Sequence, residues 1–318
     1  MTDPLHGTAE DVRFDHVASA DLARTCRNAA TSIEDQAGSR ASWVQHGLVD
    51  FAGYYSQVFS ENGRIQAADA GGLVIALRNV ATAAEYLAGS ATKEQERRET
   101  ARAWKHRRDN RNALDHIHDF FMGEEDPPFG PPDPPEPQYP PIPAVAPRTA
   151  PTSGSSSSGT SSARPGHLRT FADNSEGAND SLSSYTTSLR TALDAFTSGC
   201  GWGTLSAEGV LTAFGSYLTA NGNDVTWART VAAAFEEAGD GSIVTLSNAS
   251  ITAALQAGGV SAERTPLEIE PPQAFGAPPT TGYSDDPVNT ATGNFLEPEA
   301  DLTFPGAASS LRLTRMYN

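Results

Sequence analysis

The sequence predicts a mainly α protein: two antiparallel helical hairpin or bundle modules, joined by a Pro/Ser-rich linker and followed by an incomplete β segment. Three observations carry this. Apolar residues recur at spacings of three and four through residues 14–122 and again through 168–260, the pattern of amphipathic helices. No proline occurs between Arg13 and Asp126, whereas Pro-Pro pairs stand at 127–128, 131–132, 134–135 and 140–141. From residue 261 onward, prolines, glycines and short β-type runs replace the helical period. The expected division is therefore 1–122, 123–167, 168–260 and 261–318.

In the first region a helix is expected from about Ser19, with Leu22, Cys26, Ala29, Ala30, Ile33, Ala37 and Ala41 on one face. Gly38 should weaken it and Gly47 is a candidate turn. A second helical run carries Leu48, Phe51, Tyr55, Val58 and Phe59 and is expected to stop at Asn62-Gly63. A third spans about Ala67 to Ala88, and a long charged helix about Thr92 to Phe121. Amphipathic helices with short connections pair antiparallel, because neither can bury its stripe alone. Alanine-rich stripes let such helices approach closely.

Residues 123–167 cannot build a core. The Pro-Pro pairs favour polyproline II and the Ser-Gly run 152–162 favours flexible coil, so a disordered spacer is expected. The second helical region begins near Asp173, with Leu182, Tyr185, Leu189, Leu193 and Phe196 on one face. A tight loop, Ser198 to Gly203, follows. Helices are expected near Ser206–Ala220 and Asp224–Ala238, and Ser247 is a plausible N-cap for a last helix ending at Gly258-Gly259. Both halves thus show helix, Trp-Gly turn, helix, with Trp43 and Gly47 in one and Trp202 and Gly203 in the other.

Composition bounds the function. The chain has 318 residues and a net charge of −17, and 38% of it is hydrophobic. The acidic balance argues against nucleic acid as partner, which needs a clustered positive surface. No window approaches the ~18 apolar residues of a membrane span. Met1–Arg13 is polar and lacks the apolar core of a classical leader, so the expected location is secreted or cell-surface by a leaderless route, or otherwise cytoplasmic. The two cysteines, Cys26 and Cys200, sit among small apolar residues and read as packing residues. A bridge between them, which the sequence leaves open, would join the two halves.

No catalytic set emerges. In Asp115-His116-Ile117-His118-Asp119 the two histidines lie about 200° apart on a helix, so they do not share one ion. The basic run Lys93, Arg97, Arg98, Arg102, Lys105, Arg107, Arg108, Arg111 is interleaved with Glu94, Glu96, Glu99 and Asp109, with Glu94 and Arg98 in the favourable i,i+4 order. It reads as a salt-bridged exposed helix, or alternatively as a surface for an anionic partner. No phosphate loop, GxSxG or HExxH is present. No enzyme activity, cofactor or metal is expected within this chain.

Two resemblances add to this reading. Asp286-Pro287-Val288-Asn289-Thr290-Ala291-Thr292-Gly293-Asn294-Phe295 resembles the "DPVN-x-ATGN" signature that opens the core of Rhs (YD-repeat) toxins. Glu299-Ala300-Asp301-Leu302, Phe304-Pro305-Gly306 and Leu311 to Asn318 continue it. The first region resembles the N-terminal helical domains of actinobacterial proteins of that kind, related to the WXG-type substrates of type VII secretion. Gly38 to Trp43, Phe51, Tyr55, Phe59, Asp69-Ala70, Leu73 and Leu77 carry that likeness. It departs from the strict signature, since Trp43 and Gly47 are four apart and no Tyr-x-x-x-Asp/Glu follows Tyr54, Tyr55 or Tyr86.

The resemblances imply a non-catalytic secretion and assembly region of an Rhs-type polymorphic toxin. Its partners would be a secretion machine or a partner helical hairpin, with Trp43, Gly47, Phe51, Tyr55 and Phe59 serving the hairpin turn and its packing. A β-shell and a C-terminal toxin would follow, so the segment after Asp286 is expected to be a shell start whose strands lack a sheet to join. An adhesion or surface-display module is the alternative of another class; an enzyme with its active part beyond Asn318 is a third.

Overall fold

The computed structural model describes residues 10–110, 139–239 and 242–275 in full, and the backbone of 297–304 and 311–317. It is mainly α with a few short β segments. In chain order the elements are α1 (His16–Leu48), β1 (Ala52–Gly53), α2 (Tyr54–Asp109), β2 (Thr160–Ala163), α3 (Pro165–Gly199), β3 (Thr204–Ser206), α4 (Glu208–Ala238), β4 (Val244–Ser247), α5 (Asn248–Ala257), β5 (Gln273–Phe275), β6 (Glu297–Phe304) and β7 (Leu311–Tyr317).

The four long helices form one bundle. α1 runs antiparallel to α2, with Ser19 bonded to the Ala84 carbonyl near one end and Gly47 on the Phe59 ring at the other. α3 runs antiparallel to α1, from His167 beside His46 through Tyr185 on Ser32 to Cys200 at Asp15. α4 is antiparallel to α3 through Arg169–Glu236 and Arg190–Glu208, and lies against α2 through Gln66–Tyr217 and Phe59–Trp227. The two expected modules are therefore not separate. One core cluster joins Leu22, Cys26, Ala29, Ala30 and Ile33 to Leu73, Leu77, Val80 and Leu87, and also to Leu182, Leu189, Leu193, Phe214 and Tyr217. The reason is the shallowness of the α1 stripe. Its alanines leave much of the apolar surface of α2 and α3 open unless both pack against it, so the two hairpins close each other's cores.

Helix boundaries follow local chemistry. Asp15 caps α1, accepting from the amides of Val17 and Ala18, which starts the helix before Ser19. Gly38 does not end it, and neither does Gly47; the turn comes at 49–53, where Asp50 (φ 62°) and Gly53 (φ 96°) take left-handed backbone. The expected stop at Asn62-Gly63 is absent, and α2 runs on to Asp109, 56 residues in all. The Asn62 side chain, rather than turning back on its own backbone, donates to the Ala262 carbonyl and accepts from the Arg264 amide. Gly63 is a point of close approach to α1, since a Cβ there would stand 2.9 Å from both methyls of Val44. Likewise α4 passes unbroken through Asn221-Gly222. Ser247 does cap α5 through the Ser250 amide, and Gly258-Gly259 ends it.

Of the expected spacer, 123–138 lie outside the described residues and 164–167 belong to the start of α3. The rest of it, 139–163, is docked against the bundle. Asn79 donates to the Pro140 carbonyl, Arg64 to the Ala146 carbonyl, and Glu61 and Gln57 accept from the amides of Thr149 and Thr152. Successive contacts descend α2 as the chain advances. Twelve residues of strap thus cover 22 of helix; at about 3.1 Å per polyproline residue and 1.5 Å per helical residue, these are about 37 and 33 Å. The Ser-Gly run is tied down by Asn248, fully buried, which donates to the carbonyls of Ser155 and Ser158 and accepts from Ser161 Oγ. A segment too polar for a core of its own can still be fastened by polar side chains that helices hold out to it. It then pairs as β2 between β1 and β4, antiparallel to both.

A second strap, residues 259–275, climbs the bundle in the opposite sense. It passes Asn62, Asp69 and Gly72 and ends as β5, antiparallel to β3. β6 and β7 pair antiparallel, with a register shift between Ala300 and Leu302. The start motif Asp286–Asn294, the turn at Pro305-Gly306 and the His116/His118 pair lie outside the described residues. Among those described, no helix is long and apolar enough to cross a membrane, and Cys26 and Cys200 are free and buried rather than bridged.

Two glycines in α1 should respond oppositely to a side chain. Gly47→Val places its Cβ 2.9 Å from the Phe59 ring and should cost about 1–3 kcal/mol in urea unfolding. Gly38→Ala meets nothing within 4 Å and should add about 0.5–1 kcal/mol. A stable Gly47→Val protein would refute the close contact.

Candidate functional site

The residues expected at the hairpin turn do come together, as core. Phe51, Tyr55 and Phe59 are buried in a second cluster at the lower end of the bundle, with Trp43 partly buried against it. Phe59 stacks on Trp227 at 5.5 Å and meets Phe171 edge-on at 4.9 Å, and Phe51 meets Phe235 at 6.2 Å. Tyr55 Oη bonds Thr252 Oγ1 at 2.7 Å. Gly47 is buried beneath the Phe59 ring. The rings of Phe51, Tyr55 and Phe59 thus face inward, toward α3 and α4. Trp202 and Gly203 sit at the other end. Trp202 donates to Ser90 Oγ at 2.9 Å and lies under the Arg98 guanidinium, 5.7 Å away. Gly203 has φ 80°, and a Cβ there would stand 2.5 Å from the Phe275 carbonyl. Phe59 and Ser90 are 31 residues apart on α2, so the two Trp turns are separated by about 46 Å.

Three cations of the basic run, Arg97, Arg98 and Arg102, are held in ion pairs. Glu94 is buried at 1% exposure and receives Arg97 at 2.6 Å and Arg98 at 2.8 Å. Burial pushes its carboxyl up, but the two arginines together leave it below the ordinary value. Arg102 pairs with Asp11 of the N-terminal arm. Arg111 lies outside the described residues.

The densest polar arrangement was not singled out from sequence. Arg264, on the second strap, points between α2 and α4 with its side chain 1% exposed. Its Nε donates to Asp69 Oδ2 at 3.0 Å; its Nη1 donates to Asn221 Oδ1 at 3.0 Å and Asp224 Oδ2 at 2.5 Å. Its guanidinium sits 5.8 Å from the Tyr217 ring. The other Asp69 oxygen accepts from the Leu267 amide at 3.0 Å. Asn62 Oδ1 takes the Arg264 amide and also Arg148 of the first strap. One buried centre therefore fastens both straps to α2 and α4. Beside it lies a chamber of about 20 Å³, lined by Arg40, Asn62, Gln66, Asn221, Asp224 and Trp227 among others, room for about one water. Arg40 is held by Gln36 and by Asn179 of α3.

Burial decides the electrostatics. It pushes the Asp224 carboxyl up to about 6 against the pull of Arg264, and raises Asp69 against the Leu267 amide and Arg264. Desolvation thus outweighs attraction, as in buried ion pairs generally. The arrangement is a clamp, in which Arg264 occupies acceptors of Asp69, Asn221 and Asp224, while Arg264 Nη2 and Asn221 Nδ2 are buried without a hydrogen-bond partner among the described residues. Among the described residues no group of three His, Cys, Asp or Glu side chains could hold a metal ion. A signal was present in the sequence. Asn62, Gln66 and Asp69 share one face of α2, and Asn221 and Asp224 one face of α4, each polar on a face otherwise apolar.

The raised carboxyl fixes the sign of a pH effect. A group whose folded pKa exceeds its unfolded one stabilises fully below the unfolded value and loses that contribution as pH rises through the folded value. From 3.8 to about 6, the Asp224 contribution should fall as pH rises. Asp224→Asn should remove this component, so the gap in Tm between wild type and variant changes across that window and is flat below it. An unchanged gap from pH 4 to 7 would contradict a raised Asp224.

Comparison with known families gives one match. Residues 285–318 match the model of DUF6531, a domain of unknown function associated with Rhs/YD-repeat proteins. The match spans about a tenth of the chain and contains the β6–β7 pair. No curated protein and no solved structure matches. The C-terminal stretch is therefore similar to a segment of Rhs-associated proteins.

Proposed function

We propose that the chain is a non-catalytic secretion and assembly region of an Rhs-type polymorphic toxin, directing export by a type VII-like route ahead of a toxin-encapsulating shell. The observation that carries this is the DUF6531 match, which begins ten residues after the second strap ends at Phe275. A self-contained helical body followed by that segment is the order expected of a delivery region preceding a shell.

The bundle sharpens the partner side of the reading. In α1–α2, the face that would receive a partner hairpin is covered by α3–α4 of the same chain. The hairpin is thus partnered in cis, and a secretion machine would meet a finished four-helix surface. The salt bridges Arg27–Glu85, Arg78–Glu34 and Arg229–Glu176 lie on its exterior; they contribute little stability and leave the charged surface available for recognition.

The test is export of the natural gene product with residues 10–275 deleted, followed by immunoblotting of medium and cell-surface fractions. The expected outcome is retention inside the cell. Undiminished export would refute the proposal, and normal export with lost surface attachment would favour adhesion instead.

A further inference from the structure

We propose that residues 259–275 are a tethered ligand: the groove between α2 and α4 is a receptor for an extended, arginine-bearing segment, filled here in cis and able to release it as a unit. This goes beyond the export reading and stands independently of it.

The groove has the parts of a peptide site. It offers a deep acidic socket for one guanidinium, made by Asp69, Asn221 and Asp224. Three residues on, Asp69 receives the Leu267 amide, so the socket also sets backbone register. Leu267 and Ile269, two apart along the extended chain, lie partly buried against the bundle, Ile269 on Gly72. The last three residues add a strand to β3, with Ser206 opposite Gln273 and Thr204 opposite Phe275. Strand addition with pockets for alternate side chains is a recurring way of binding extended peptides.

The strap is also built to leave. It is a single pass, continuous with the bundle only through α5. It begins at Gly258-Gly259, where Gly259 has φ +66° and its amide, like that of Val260, closes the end of α5. Its deeply buried residues are few, Arg264, Pro272 and Ala274, whereas each long helix contributes a stripe. Its polar attachment centres on Arg264, with Asn62 on the Ala262 carbonyl and Arg148 on Glu263 beside it, and burial disfavours the charged form of the Asp69 and Asp224 carboxyls that hold the guanidinium. A segment held by one polar anchor and a short strand opens separately from helices held by a continuous apolar core.

Native-state hydrogen exchange on the 318-residue chain tests this. The amides of Arg264 and Leu267 should exchange roughly a hundredfold or more faster than α1 amides between Leu22 and Ile33. In Arg264→Met, protection of 259–275 should be lost while α1 to α4 keep theirs. A labelled peptide of sequence 258–275 should bind that variant and not the wild type, whose own strap holds the groove at high effective concentration. The same peptide carrying Arg264→Met should bind neither. Strap amides in the slowest class, loss of protection in α2 and α4 along with the strap, or absence of peptide binding to the variant would each overturn the proposal.

Discussion

A guanidinium taken out of water must find its counter-charge and hydrogen-bond acceptors within the protein, and few arrangements of helices can supply them at one point. Arg264 imposes that requirement here. To meet it, α2 must present Asp69 and α4 must present Asn221 and Asp224 at the same depth. This fixes the axial register of the two helices. Asn62, about two turns away along α2, then receives both the strap that carries Arg264 and the strap that carries Arg148. The position of the second strap follows from where that charge is buried, on helices whose register the apolar cores also hold. The cost is visible in the raised carboxyls of Asp69 and Asp224. Such centres are seldom a net source of stability, but they admit few alternative alignments.

Much of the helical framework was legible in the residues. The stripe Leu22, Cys26, Ala29, Ala30, Ile33 faces the core as its spacing requires, whereas Ala37 and Ala41, expected on the same face, are exposed; Ser247 caps a helix that ends at Gly258. The breaks were misread for one reason. Asn62-Gly63 and Asn221-Gly222 carry the composition of helix stops, yet here asparagine serves as a buried hydrogen-bonding partner and Gly63 as a point of close approach. Local composition reports what a residue can do to its own backbone. It does not report that a segment about 200 residues away will claim the side chain.

The same limit applies to the proline-rich stretch. Its composition rules out a core of its own, which is correct, but says nothing about docking to one built by others. The aromatic residues expected at the hairpin turn were found together, but their partners Phe171, Trp227 and Phe235 come from the other hairpin. Only a reading of both halves as one body would have joined them.

The descending strap sets a rule of proportion. Because an extended proline-rich chain advances about twice as far per residue as a helix, the strap and α2 act as two scales laid side by side, read against each other at Asn79, Arg64, Glu61 and Gln57. A change in the length of α2 between those marks must be matched by about half as many residues in the strap. Relatives of this bundle with longer or shorter helices should carry that ratio in their sequences.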